Sequence, residues 1–260
     1  MDMEDNAASN RMAREYVQSL ERGLAVIQAF GPGRAEMTLS EVAAATGLTR
    51  AAARRFLYTL SELGHVTSDG KRFRLTAQVL SLGYAYLSSL PWWQRVQPQM
   101  EAVVRALGES CSVAVLDGFD IVYVARIPAS RILTINPGVG ARFPAFVTSL
   151  GRVLLAHQPP EWLDRYFAEA EFRPRTERTE TDPAKLRILL EKVRKDGFAL
   201  MDQELEMGLR SLSVPLSDRT GRVIAAMNVS ASAAQVSLDD LRDRYLPVLR
   251  AAADTISQSL

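Results

Sequence analysis

Residues 38–60, "TLSEVAAATGLTRAAARRFLYTL", hold two helix starts and one helix stop. That punctuation leaves the backbone few options. Thr38-x-x-Glu41 is a capping box, in which each side chain satisfies an open backbone N–H of the first turn. Leu39, Val42, Ala43 and Thr46 then make one apolar face. Gly47 suits the left-handed residue that ends a helix, and Thr49 suits the N-cap of a second helix reaching about Leu63. Two short helices broken at a glycine form a helix-turn-helix pattern. On the second helix, the 3.6-residue period places Ala52, Phe56, Leu60 and Leu63 inward. It places Arg50, Arg54 and Tyr58 outward, with Arg55 beside them. Alanines such as Ala51 keep that outer surface narrow enough for a major groove. Arginine brings a planar donor fork for phosphate or for guanine O6 and N7. A solvated charged face is the plainer reading of the helix taken alone.

The flanks favour DNA. "HVTSDGKRFRL" reads as two short strands about Asp69-Gly70, a favoured hairpin turn, with Lys71, Arg72 and Arg74 at or just after the tip. A basic hairpin following a recognition-like helix is the plan of a winged helix, whose wing touches phosphates or a minor groove. Upstream, "SLERGLAVIQAF" is an amphipathic helix with Ser19 as its expected N-cap and Leu20, Leu24, Ile27, Val26 and Phe30 on its apolar side. Although the whole chain has a formal net charge of only +1, residues 11–75 carry ten Lys/Arg against six Asp/Glu, and residues 76–260 are balanced at 21 each. Local excess matters more than the total when the partner is a polyanion. The DNA-contact candidates are Thr49, Arg50, Ala51, Arg54, Arg55, Tyr58, Lys71, Arg72 and Arg74.

The rest of the chain predicts an α+β domain. "TAQVLSLGYAYLSSL" (76–90) is a helix whose apolar residues cover more than one stripe, so packing partners are expected on both sides, as a linker that also joins subunits or, alternatively, as a buried helix of the following domain; Pro91 ends it. Val96, Met100, Val103, Val104 and Leu107 mark another helix. "CSVAVLDGFDIVYVAR" is a hairpin about Asp117-Gly118, "ILTIN" a further strand, and "LRSLSVPL" and "RVIAAMNVS" a central pair. Helices are expected over 148–156 and 184–195, with a closing helix capped by Ser237. Thr148 and Ser149 open the first of these just after "RFPAFV", where exposed N–H groups and hydroxyls suit an anion, and Gly151 allows close approach. Arg142 and Arg210 are candidate carboxylate partners.

An enzyme has little material here. "VTSLG" lacks the first glycine of a nucleophile elbow, and "GVGAR" lacks the lysine and spacing of a phosphate loop. Only His65 and His157 are present, and the single Cys111 lies in an apolar strand pattern. No catalytic residue, cofactor or metal site is expected. The lone cysteine fits a reducing compartment. With neither a signal-peptide h-region nor a membrane-spanning apolar run, a cytoplasmic protein is the expectation. An effector-independent architectural DNA binder is a further alternative, but it has no use for a second domain of about 170 residues.

"SLERGLAVIQAF…TLSEVAAATGLTRAAARRFLYTLSELGHV", "PGVGARFPAFVTSLGRVLLA" and "DQELEMGLRSLSVPL" resemble the IclR family of bacterial transcriptional regulators, over about residues 16–260. "TRAAARRFLYTL" with "RFPAFVTSLGRVLLA" looks most like the branch of PcaR, PcaU and PobR regulators, which control aromatic-acid catabolism. The residue patterns divide the chain into a flexible tail (1–15), a winged helix-turn-helix domain (16–75), a linker helix (76–90) and a second domain (91–260), which the resemblance implies is a GAF-like effector-binding fold. It implies a homodimer or dimer of dimers on double-stranded operator DNA. It also implies a small carboxylate effector, an aromatic acid or β-ketoadipate. The family's effector pocket carries over to Ser149 and Leu150, to Met201, Leu209 and Ser211, and to Asn228 and Ser230. Met201 stands where an acid is common, with Asp202 beside it as the alternative. Strand alternation puts 209 with 211 and 228 with 230 on one face each.

Overall fold

The computed structural model describes residues 15–129 and 137–258. Most of the expected tail and the "ILTIN" strand lie outside them. The chain divides into two compact units between Tyr86 and Leu87.

In the first unit, α1 (Gln18–Gln28), α2 (Leu39–Thr46) and α3 (Arg50–Glu62) pack around Val26, Phe30, Val42, Leu57 and Val66. Strands β1 (Met37–Thr38), β2 (Val66–Ser68) and β3 (Arg72–Leu75) form an antiparallel sheet with β3 in the middle. The capping box forms as read. Thr38 N donates to Glu41 Oε2 at 2.6 Å, and Glu41 N donates to Thr38 Oγ1 at 3.3 Å. Gly47 ends α2 at φ +66°, and Thr49 Oγ1 caps α3 by accepting from Ala52 N.

Three expectations need correction. Helix α1 begins at Gln18 with Val17 as its uncapped N-terminal flank, so Ser19 lies inside it; Leu20 and Leu24 are exposed. The inward stripe of α3 is Ala53, Leu57 and Leu60, while Ala52 and Phe56 are half-buried and Leu63 is exposed. Alanine suits either side of a helix, so the run Ala51–Ala53 does not fix the rotation; packing of Leu57 does. Finally, the 76–90 segment is not one helix but a 3₁₀ turn (Ala77–Val79) followed by α4 (Leu80–Ser89), of which no residue is buried within a single chain. Leu80, Leu82 and Tyr84 stand exposed on it.

The second unit is built on one antiparallel sheet. Its strands are β4 (Ser110–Asp117), β5 (Asp120–Ile127), β6 (Arg142–Pro144), β7 (Ala199–Asp202), β8 (Leu209–Ser217) and β9 (Val223–Ser232), in the order β6-β5-β4-β9-β8-β7. One face is covered by α5 (Trp93–Leu107) and by the closing helical segment. That segment runs from α9 (Leu238–Asp240) through a π turn (Leu241–Tyr245) to α10 (Leu246–Gln258). Pro247 has no N–H for the regular ladder, which accounts for the wider turn before it. The other face carries α6 (Ser149–Ala156), α7 (Pro160–Glu169) and α8 (Pro183–Asp196). Every residue of α6 is buried. Helix α7 and strands β6 and β7 were not among the sequence expectations.

Candidate functional site

The first unit presents a basic surface. Arg50, Ala51, Arg54, Arg55 and Tyr58 are all exposed on α3, and Tyr58 is 66% accessible despite its ring. Thr49, also exposed, spends its hydroxyl on the helix cap. In the wing, Asp69 fixes the turn by accepting from Lys71 N at 2.8 Å and Arg72 N at 2.7 Å. Those two backbone bonds, Arg72 foremost, hold its carboxyl below the usual range. Gly70 takes φ +95°, which a side chain would resist. Lys71, Arg72 and Arg74 are exposed. Arg74 meets Glu36 at 3.5 Å, an exposed pair worth at most about 1 kcal/mol. Its guanidinium therefore gives up little on turning to a phosphate.

The second unit encloses a polar cavity on the α6 side of the sheet. It is lined by Thr148 and Ser149 at the start of α6, Tyr123 and Arg126 on β5, Leu205 and Pro137 on loops, Leu209 and Ser211 on β8, and Asn228 and Ser230 on β9. The cavity measures about 20 Å³, room for about one water. A polar ladder runs across the sheet beneath it. Ser112 pairs with Arg126 on one side and Asn228 on the other, and Asn228 pairs with Ser213. In the next row Ser110 pairs with Ser230, and Ser230 with Ser211. Ser149 Oγ and Asn228 Oδ1 are buried and have no hydrogen-bond partner. Asn228 Nδ2 donates to Ser230 Oγ at 3.2 Å, which turns the bare carbonyl oxygen the other way. Arg126 donates to Ser112 Oγ at 3.2 Å. Burial pushes its guanidinium below the ordinary value, and burial likewise pushes the Tyr123 hydroxyl up to about 12.

Of the residues nominated from sequence, Thr148, Ser149, Leu209, Ser211, Asn228 and Ser230 come together around this cavity. Leu150 instead packs in the core between α6 and the sheet. Met201 pairs with Ser211 one strand beyond the wall. Asp202 is held by Arg210 at 2.6 Å and Arg178 at 2.7 Å. Arg210 also donates to the carbonyls of Ala233 and Val236, and Arg142 pairs with Asp117 and Asp120 on the hairpin. Neither of these arginines lines the cavity; Arg126, which does, escaped the sequence reading. Gly151 also has a different role from the one expected. A Cβ there would lie 2.0 Å from Ala145 O, so the glycine lets α6 pack on the preceding turn. Thr148 caps the helix, accepting from Gly151 N at 2.9 Å.

Two of the groups weighed for catalysis, Cys111 and His157, have surroundings that the fold explains. Cys111 is fully buried, and burial pushes its thiol above the usual range. His157 sits at the end of α6 with Nδ1 2.8 Å from Val153 O. Among the described residues, no helix is long and apolar enough to cross a membrane.

Comparison with known proteins agrees with this geometry. Residues 19–70 match the IclR helix-turn-helix domain, and residues 84–258 match the bacterial transcriptional regulator IclR C-terminal domain. The chain is similar to the Pca regulon regulatory protein of Pseudomonas putida, 42% identical over 95% of this chain and 85% of that protein. It is similar to the p-hydroxybenzoate hydroxylase transcriptional activator of Acinetobacter baylyi, 34% identical over 93% and 91% respectively. A crystal structure of a transcriptional regulator from Rhodococcus sp. RHA1 superposes with a TM-score of 0.86 at 50% identity, covering 94% of this chain and 98% of that one. The matches span both units, and the chain belongs to the IclR family of bacterial transcriptional regulators.

Proposed function

We propose that this regulator controls aromatic-acid catabolism and that a small carboxylic acid, such as protocatechuate, 4-hydroxybenzoate or β-ketoadipate, binds in the cavity beneath α6 and changes its affinity for operator DNA. The observation that carries the reading is a buried pair of partnerless polar atoms, Ser149 Oγ and Asn228 Oδ1, in a cavity that also holds Arg126. Buried polar groups are nearly always satisfied, and each orphan costs about 1–3 kcal/mol. A polar ligand recovers that cost. A benzoate-sized molecule exceeds the present cavity, so its entry must part the walls. The start of α6, Leu205 and strand ends of β8 and β9 are what it would move. That displacement is the differential interaction an effector needs to alter a second site.

On the DNA side, Arg50, Arg54, Arg55 and Tyr58, with Thr49 and Ala51 at the N-terminal end of α3, face the major groove. Lys71, Arg72 and Arg74 take backbone phosphates. The relatives named for the Pca regulon and for p-hydroxybenzoate hydroxylase support the catabolic assignment. The chain acts as a homodimer or a pair of dimers. Leu20 and Leu24 on α1 and Leu80, Leu82 and Tyr84 on α4 leave apolar surface that a second copy covers. Two copies also supply the two recognition helices that a repeated half-site demands.

The test is a fluorescence-anisotropy titration of labelled DNA from the protein's own promoter, with and without each of the three acids. Salt-sensitive binding whose midpoint one acid shifts supports the proposal. Binding that ignores all three acids contradicts the effector assignment. No specific binding to that promoter or to other candidate regulatory DNA contradicts the operator reading.

A further inference from the structure

The turn of residues 203–208 joins β7 to β8, and its Leu205 lines the cavity. Gln203 sits at φ +64°, the only non-glycine residue with a positive φ among the described residues. Such a conformation persists only where surrounding bonds enforce it. Those bonds come from two directions. Arg152, buried on α6, donates to Glu204 Oε2 at 2.5 Å and through its Nε to the carbonyl of Phe146 at 3.0 Å. The other direction is the strap of residues 170–182, which joins α7 to α8. From it Thr176 Oγ1 donates to Gln203 O at 2.8 Å, Thr179 Oγ1 to Glu204 O at 2.6 Å and Glu180 N to Glu204 Oε2 at 3.0 Å. Phe146 belongs to the turn that leads into α6, and Thr148 and Ser149, just after it, are cavity wall. Arg152 therefore bonds two parts of the cavity's surroundings to each other, the Leu205 turn and the approach to α6.

We infer that residues 203–208 are a lid over the cavity, that the Arg152–Glu204 ion pair is its latch, and that Thr176 and Thr179 hold the lid from the strap. Arg152 and Glu204 are positioning residues, which act through Leu205 and the start of α6 on a ligand they do not line. The inference rests on the reading of the cavity as the effector site for its purpose, but the opening itself belongs to the empty protein. A cavity of about 20 Å³ admits nothing larger than water until its walls part. The lid suits that step. Met207 is already exposed, so Leu205 is the apolar side chain that the turn has to withdraw. The remaining tethers are polar, and their net free energy is small because parted groups bond water instead. Release of the turn also relieves Gln203 of its left-handed backbone. A turn held in this way can lift while the sheet behind it stays folded, as local opening does elsewhere. The latch then sets how fast an acid enters and leaves.

Thiol labelling of the full-length protein carrying Ser149→Cys tests this. The introduced thiol reports on the cavity, and native Cys111, fully buried in the core on the opposite face of the sheet, is the internal reference. Reaction with iodoacetamide, with no acid present, is followed at each site by peptide mass spectrometry. The introduced thiol should react about tenfold faster than Cys111 or more, because a lid opens without unfolding the domain. Glu204→Gln keeps the side chain's shape and removes its charge; it should quicken the introduced thiol by about tenfold and leave Cys111 unmoved. Thr179→Val should quicken it less, and Glu206→Gln, a charge removed from the same turn outside the latch, should do neither. A merely structural role for the ion pair would quicken both thiols together, and that result overturns the inference. So do equal rates at the two thiols, or a rate at the introduced thiol that ignores both Glu204→Gln and Thr179→Val. Where Glu204→Gln fails to fold, the comparison of the two thiols and the Thr179→Val variant still decide. The labelling uses no ligand, so its outcome is separate from that of the effector reading, which the promoter titration tests by itself.

Discussion

Gly151 and Arg126 show how single positions build the cavity. With Ala145 O only 2.0 Å from where its Cβ would be, Gly151 is the residue that lets the start of α6 sit down on the turn before it. Gly151→Ala should destabilise the protein by about 1–3 kcal/mol, the usual penalty for overpacking, read as a lower urea midpoint with an unchanged slope. An unchanged midpoint would mean that the turn gives way freely. The sequence shows a glycine there but not the carbonyl facing it, which is why it reads as a ligand approach. Arg126 is hidden for another reason. Tyr123 and Arg126 are three residues apart, so regular strand alternation sends them to opposite faces. A bulge shifts the register between Val113 and Ala114, where Tyr123 faces Ala114 and Ala125 faces Val113. The extra residue, Val124, turns both side chains to the cavity, as bulges commonly re-aim a side chain. Where the strands are regular, at Leu209 with Ser211 and Asn228 with Ser230, alternation agrees with the residues that the family resemblance nominates.

At the scale of elements, the DNA-facing motif is the most legible part of the chain, because local side-chain chemistry specifies it. Thr38, Glu41, Gly47 and Thr49 each make the backbone contact or take the conformation their residue type favours. The rotation of α3 is not local, since it is set by Leu57 in the core, and alanine leaves it open. Even so, Arg50, Arg54 and Tyr58 are exposed, because the error of one position stays on the buried side. Arg54→Ala should weaken operator binding by about 1–3 kcal/mol and relax preference at the base it reads. Equal affinity for operator variants before and after the change would reject that role. Lys71→Ala, at the wing, should weaken all sequences alike and lower the slope of log K against log salt by about 1. An unchanged slope would remove Lys71 from the phosphate contacts. Helix α7 is missed for a complementary reason. It packs through an aromatic cluster of Trp162, Tyr166 and Phe167 with the nearby Phe172 and with Phe119, and this last partner is distant in sequence.

At the scale of the whole molecule, the proposed function joins an effector cavity in one unit to a DNA surface in the other. Exposed Leu80, Leu82 and Tyr84 on α4 place apolar surface on the segment that connects them. Leu82→Asp should shift the protein toward monomer in analytical ultracentrifugation and weaken operator binding with it, since a lone recognition helix loses half the site. A variant that keeps its mass would exclude α4 from the interface. Coupling between the two units is a free energy and must be reciprocal. The most direct measurement is therefore a closed thermodynamic cycle: operator Kd with and without saturating acid, and acid Kd with and without saturating operator. Both constants should shift by the same factor and in the same direction. An acid that binds the protein with an affinity indifferent to operator, leaving operator affinity equally indifferent to the acid, would contradict the proposed function.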